Sequence, residues 1–122
     1  MSYIRKVEPE YVEAMAGGPG KVYKRSIIRG PEDLHGSGRL FAHMVLEKDC
    51  GVGYHTHDGD YELYYILNGE AEYTDNGKVV TLHAGDITYT GSGESHGIVN
   101  RKDEPCEFIG LILFNEQKEH GT

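Results

Sequence analysis

The chain has 122 residues, 12 Lys+Arg against 20 Asp+Glu, a formal net charge of −8, seven His, seventeen Gly and no Trp. That length predicts one domain able to bury a core, and apolar residues spread along the whole chain argue against disorder. The acid excess opposes binding to a phosphate backbone, no stretch is apolar enough for a membrane helix, and no secretory leader follows Met1. Nucleic-acid and membrane partners are therefore excluded, and a cytoplasmic protein is expected. Cys50 and Cys106 form neither a CxxC pair nor a disulfide framework, and are read as reduced thiols.

In chain order, residues 1–21 read as an N-terminal arm. Within it, Glu10 to Ala16 follows Pro9 and is expected to form a short helix or an irregular segment, which Gly17-Gly18-Pro19-Gly20 stops. Residues 22–114 carry a period of two. Val22 to Arg29 is a strand, Pro31 to Gly38 a loop, and Arg39 to Glu47 a second strand. In that strand Phe41, His43 and Val45 share one face, and Ala42, Met44 and Leu46 the other. Gly51 to His57, Glu62 to Leu67 and Glu70 to Asp75 follow. Asn76-Gly77 is a strong hairpin signal, with Lys78 to Leu82 as the returning strand. Asp86 to Thr90, Gly97 to Asn100 and Cys106 to Phe114 complete eight or nine short strands punctuated by glycine. Such spacing predicts an all-β sandwich or barrel. Residues 115–122, His120 among them, read as a solvated tail.

The chemistry concentrates in one stretch. His55 and His57 are two apart, so on a strand both imidazoles face the same side. Asp58-Gly59-Asp60 is read as a solvated turn, after which an antiparallel neighbour can set Glu62 beside them. A barrel can bring His96 to the same centre. Three imidazoles and a carboxylate suit one divalent transition metal, with Mn, Fe, Ni, Zn, Co and Cu all open. On a six-coordinate ion they leave two positions for water or substrate; on tetrahedral zinc they close the site and make it structural.

These residues resemble the two motifs of the cupin superfamily, and in particular its small single-domain, type-2 members. The first motif ends H-x-H, three or four residues, E, six residues, G; here stand His55-Thr56-His57, Glu62 and Gly69. The second runs G, five residues, P-x-G, two residues, H, three residues, N; here stand Gly85, Gly91, Gly93, His96 and Asn100. Gly91 replaces the usual proline, which is expected to loosen that turn, and Gly51 lies closer to His55 than the family's glycine usually does. The resemblance implies a double-stranded β-helix, or jelly-roll, barrel with His55, His57, Glu62 and His96 as metal ligands, and pairing of two copies through their sheets.

Other matches carry less. Gly93-Glu94-Ser95-His96-Gly97 fits the G-x-S-x-G elbow, but no helix follows it. Gly91-Ser92-Gly93 lacks the rest of a dinucleotide fingerprint. For the pocket, Tyr64 shares the face of Glu62, Tyr89 is expected to point inward with Ile87, and Arg39 is the nearest candidate for a carboxylate contact. His43 is a candidate proton-transfer residue, or else an outward polar residue.

The expected function is that of a metal-dependent enzyme. It would act on a small oxygen-rich substrate, an organic acid or sugar-derived molecule, by isomerase, decarboxylase or dioxygenase chemistry. The alternatives are a non-catalytic small-molecule or sugar-binding module, and a barrel with a purely structural metal.

Overall fold

The computed structural model describes residues 2–116. Most of the expected tail, His120 included, lies outside them. Ten strands form: β1 Glu10–Glu13, β2 Lys21–Ser26, β3 Gly38–Leu46, β4 Gly51–Thr56, β5 Asp60–Asn68, β6 Glu70–Asp75, β7 Lys78–His83, β8 Ile87–Thr90, β9 Ser95–Val99 and β10 Cys106–Phe114. They build two antiparallel sheets, a six-stranded one in the order β1-β2-β3-β10-β5-β8 and a four-stranded one in the order β4-β9-β6-β7.

The helix expected over Glu10 to Ala16 does not form. Glu10–Glu13 is instead the edge strand β1, pairing Tyr11 with Tyr23 and Val12 with Val22. Only Met15–Gly17 coils, as a single 3-10 turn. Seven residues are too few to hold a helix without tertiary support, whereas pairing along β2 satisfies the backbone groups directly. The glycines at 17 and 20 then supply the left-handed backbone, φ 77° and 66°, that turns the chain into β2.

The hairpin at Asn76-Gly77 forms as its sequence demands, with both residues at positive φ, 48° and 86°, joining β6 to β7. The family-like turn at Gly91 is not loose. Its N–H, which a proline would lack, donates to Glu94 Oε1 at 2.8 Å, and the Gly93 N–H donates to the His57 carbonyl at 2.7 Å. The loop is thereby tied to the backbone of a site residue.

The core lies between the sheets. Val22, Met44, Leu46, Ile66 and Phe108 come from the six-stranded sheet; Val52, Ala71, Tyr73, Leu82 and Ile98 come from the four-stranded one. Every second residue of β10 is buried, as alternation requires. Both cysteines are free thiols. No helix among the described residues is long and apolar enough to cross a membrane.

Candidate metal centre

The sheets contribute unlike groups to one end of the sandwich. His55 lies on β4 and His96 directly opposite it on β9. Between Val52 and His55 the register slips relative to β9, so a bulge turns His55 inward. His57 follows the end of β4. Glu62 comes from β5, on the facing sheet. Glu62 Oε1 stands 3.0 Å from His96 Nε2, 3.2 Å from His57 Nε2 and 3.8 Å from His55 Nε2. The Nε2 atoms of His57 and His96 are 3.1 Å apart. All four donor atoms lie within 4.8 Å of one another.

Each imidazole is held from behind. His55 Nδ1 donates to the Gly53 carbonyl at 2.6 Å, and His57 Nδ1 to Asp60 Oδ1 at 2.7 Å. His96 Nδ1 meets the hydroxyls of Tyr73 at 2.8 Å and Thr90 at 2.9 Å. With Nδ1 carrying the proton, the lone pair of each ring sits on Nε2, where it faces its neighbours.

The electrostatics follow from this crowding. Burial by itself would raise the Glu62 carboxyl, but without a metal the rings of His55, His57 and His96, donating from Nε2 when protonated there, hold it well below the ordinary carboxylate range. The hydrogen bond to Glu62 raises His57 against the opposing effect of burial, and Asp60 adds to the rise. Burial lowers His96, although Glu62 pulls the other way. An ionised carboxylate among three imidazoles offers the donor set that a divalent cation takes.

The spacing supports the same fit. Donors about 2.1 Å from one ion stand roughly 3.0 Å apart when adjacent in octahedral geometry and roughly 3.4 Å apart in tetrahedral geometry. Two of the three short separations, 3.0 and 3.1 Å, lie nearer the octahedral value, and the third, 3.2 Å, lies midway. This cluster can hold one divalent metal ion.

A cavity of about 260 Å³ opens onto His55 and Glu62. Its walls combine apolar groups such as Met15, Leu40, Met44 and Ile112 with two cations, Lys24 and Arg39. Tyr64 lines it, as its place two residues beyond Glu62 predicts, and its ring stacks on His96 with centroids 5.0 Å apart. Arg39 lines it too, although strand alternation does not place it there. Leu40 pairs with Ile112 and Gly38 with Leu113, so Arg39 has no partner on β10. That bulge turns its side chain toward the pocket. Its Nε donates to Asp60 Oδ2 at 2.9 Å.

Two candidates lie elsewhere. His43 sits on the outer face of β3, 3.5 Å from Glu107, because Ala42 and Met44 take the inward positions. It cannot transfer a proton in this cavity. Tyr89 is 61% exposed and packs on Tyr61 outside the sheet. Thr90, not Tyr89, turns inward on β8, because its hydroxyl is drawn to His96 Nδ1 and that sets the phase of the strand. Asn100 is buried next to the site strand but serves the fold, donating to the Leu46 and Glu104 carbonyls.

Sequence reasoning missed Asp60, Lys24, Tyr73 and Thr90. Asp60 is not a solvated turn residue; it is only 6% exposed and bonded to His57. Its place three residues after His57 was the available signal. Lys24 offered none, because only the pairing of β2 with β3, Lys24 opposite Met44, sets it over the cavity.

The cupin domain family matches residues 42–114. The chain belongs to that family, as a small single-domain member whose mostly β fold matches solved cupin structures. It is 43% identical over 108 residues to an oxalate-binding protein of Thermotoga maritima, covering 88% of each sequence. The crystal structure of a predicted oxalate decarboxylase from Thermotoga maritima superposes with a TM-score of 0.88 at 40% identity, over 93% of this chain and all of that one. A Cupin 2 conserved barrel domain protein from Salinispora arenicola superposes with a TM-score of 0.71 at 20% identity, over 94% and 90% of the two chains, which speaks for the fold alone.

Proposed function

We propose that this protein binds a small dicarboxylate, oxalate foremost, on a divalent metal held by His55, His57, Glu62 and His96. One observation carries this reading. The cavity that opens onto His55 and Glu62 is lined by two cations, Arg39 and Lys24, the latter 3.9 Å from Glu10, in a chain whose net charge is −8. A cationic wall facing a cation site makes sense when an anion lies between them. A dicarboxylate satisfies both, with one end toward the metal and the other toward the guanidinium and ammonium groups. The 43% identical oxalate-binding relative supports the same ligand class.

When bound, the metal supplies Lewis-acid polarisation of the ligand's oxygens. The chain's own residues orient the ligand and exclude water. Met15, Leu40, Met44 and Ile112 keep the cavity walls dry, and Tyr64 closes it behind Glu62. Binding is favoured over turnover because, among the described residues that line the cavity, Glu62, already committed as a donor, is the only carboxyl group, so no second carboxylic acid stands ready to deliver the proton that decarboxylation requires at the carbon left behind.

The test is calorimetric titration of manganese into chelator-stripped protein, then of oxalate into the loaded protein, with product analysis after long incubation. Tight manganese binding followed by metal-dependent oxalate binding without formate or carbon dioxide is expected. Metal-independent oxalate binding, or none, would overturn the reading. Formate and carbon dioxide would replace binding by catalysis.

We also infer a homodimer through the outer face of the six-stranded sheet. Phe41, Leu63, Tyr65, Ile109, Leu111 and Tyr89 face outward there, an apolar surface of the kind that marks an interface. Light scattering of the purified protein should give twice the chain mass.

A further inference from the structure

Asp60 touches both halves of the site at once. Its Oδ1 accepts from His57 Nδ1 at 2.7 Å and its Oδ2 accepts from Arg39 Nε at 2.9 Å. It is 6% exposed, and it begins the same strand that carries Glu62. Arg39 is the unpaired residue of the bulge in β3, so the backbone alone does not hold its side chain over the cavity. Among the described residues its guanidinium has one hydrogen-bond partner, Asp60, which leaves the terminal N–H groups available to a ligand.

We propose that Asp60 is a positioning residue that registers the pocket's anion-binding arginine to the metal ligands. One carboxylate fixes the ring of His57, and so the direction of Nε2. The same carboxylate fixes the guanidinium plane of Arg39. The distance between the metal end and the cation end of a bound ligand is therefore set through one rigid group, which selects a ligand with two carboxylates at short separation over a monocarboxylate. The inference rests on the dicarboxylate reading above and adds the residue that measures the ligand.

Substitution can separate the two bonds. In Asp60→Asn the amide oxygen still accepts from His57 Nδ1, but an NH2 group then faces Arg39 Nε–H, donor against donor. In Asp60→Ala both bonds are lost.

The experiment measures manganese affinity by calorimetry, and the affinities of the manganese-loaded protein for oxalate and for acetate, in the wild type, Asp60→Asn, Asp60→Ala, Arg39→Ala and the double variant Asp60→Asn/Arg39→Ala. In Asp60→Asn, metal affinity should fall less than oxalate affinity does, because the amide oxygen still accepts from His57 Nδ1. Oxalate affinity should fall on the order of tenfold or more, the loss expected when a charge-assisted contact is misaligned. Acetate affinity should hardly change. Arg39→Ala should show the same pattern, and the double variant should be no worse than Arg39→Ala, because both changes disable one device. Asp60→Ala should also weaken manganese binding, by about 10–100-fold, as loss of a histidine's supporting carboxylate typically does.

Asp60→Asn binding oxalate as tightly as the wild type, or adding its full loss to that of Arg39→Ala, would overturn the proposal even if Asp60→Ala fails to fold. A wild type that binds manganese but no oxalate overturns the dicarboxylate reading instead, and is told apart by the unsubstituted protein alone.

Discussion

The two sheets differ sharply on their outer faces. The four-stranded sheet turns Thr56, Glu72, Thr74, Thr81 and His83 toward solvent, with Tyr54 and Val79 as its exposed apolar residues. The six-stranded sheet turns Phe41, Leu63, Tyr65, Ile109 and Leu111 outward. A sheet in water on one side alternates apolar and polar residues; one covered on both sides reads as nearly continuous apolar strands. β10, with Phe108, Ile109, Leu111, Ile112 and Leu113, has the second pattern. The sheets differ in chemistry as well. The four-stranded sheet contributes the imidazoles of His55 and His96, and the six-stranded one contributes Glu62, Asp60, Arg39 and Lys24. Neither sheet holds a site alone.

The inner and outer faces of β10 give the largest expected contrast. Phe108→Ala, on the fully buried face, should lower unfolding stability by about 3–5 kcal/mol in chemical denaturation, the range for a truncated core aromatic. Leu111→Glu, on the outer face of the same strand, should cost the monomer little but abolish the inferred dimer in light scattering. Thr74→Glu on the other sheet should leave the mass unchanged. A Leu111→Glu protein that remains dimeric would remove the outer face of β10 as the interface.

Glu62→Gln removes the six-stranded sheet's donor to the centre while keeping its shape. Manganese affinity should fall by on the order of a hundredfold or more, since the site loses its only negative ligand. His43→Ala, outside the cavity, should leave it unchanged, and an equal effect of both substitutions would contradict the assigned positions.

Protons compete with a metal for the imidazoles. His57 is raised above its ordinary value of 6.5, so in the metal-free protein it takes up a proton at a pH where an ordinary imidazole is still neutral. Apparent metal affinity should therefore climb as pH rises through this raised value, by up to about tenfold per unit for one released proton, and level off above it. Titrations at several pH values check the sign; affinity that falls with rising pH would refute it.

The smallest effect concerns the thiols. Burial, helped by the neighbouring Glu107 charge, pushes the inward Cys106 up to about 11, whereas Cys50 is only half-buried. Iodoacetamide at pH 8 should label Cys50 first, with Cys106 reacting only on unfolding, as followed by mass spectrometry.

Strand positions were legible because alternation and glycine turns are local. Glu70–Asp75 and Cys106–Phe114 fall where the pattern puts them. The histidines and Glu62 were legible because two residues on one strand and one at the start of the next are tied by a short turn. The errors share one cause. Glu10 to Ala16 became a strand because β2 was there to pair with it. Tyr89 turned outward because Thr90 answers His96 across the sandwich. Asp60 was buried because His57 and Arg39 both needed an acceptor.

The amino-acid pattern by itself determined an all-β chain with imidazoles paired at 55 and 57, a carboxylate at 62 and turns at the glycines, since each of these depends on neighbours a few residues away. Only the tertiary structure decided that Lys24 and Arg39 would face those ligands and that Asp60 would join Arg39 to His57. Those relations depend on which strands pair and where the ladder slips. The one-residue bulge at Arg39, opposite the step from Ile112 to Leu113, redirects its side chain, and a register shift of that kind is a property of two strands meeting, written in neither alone.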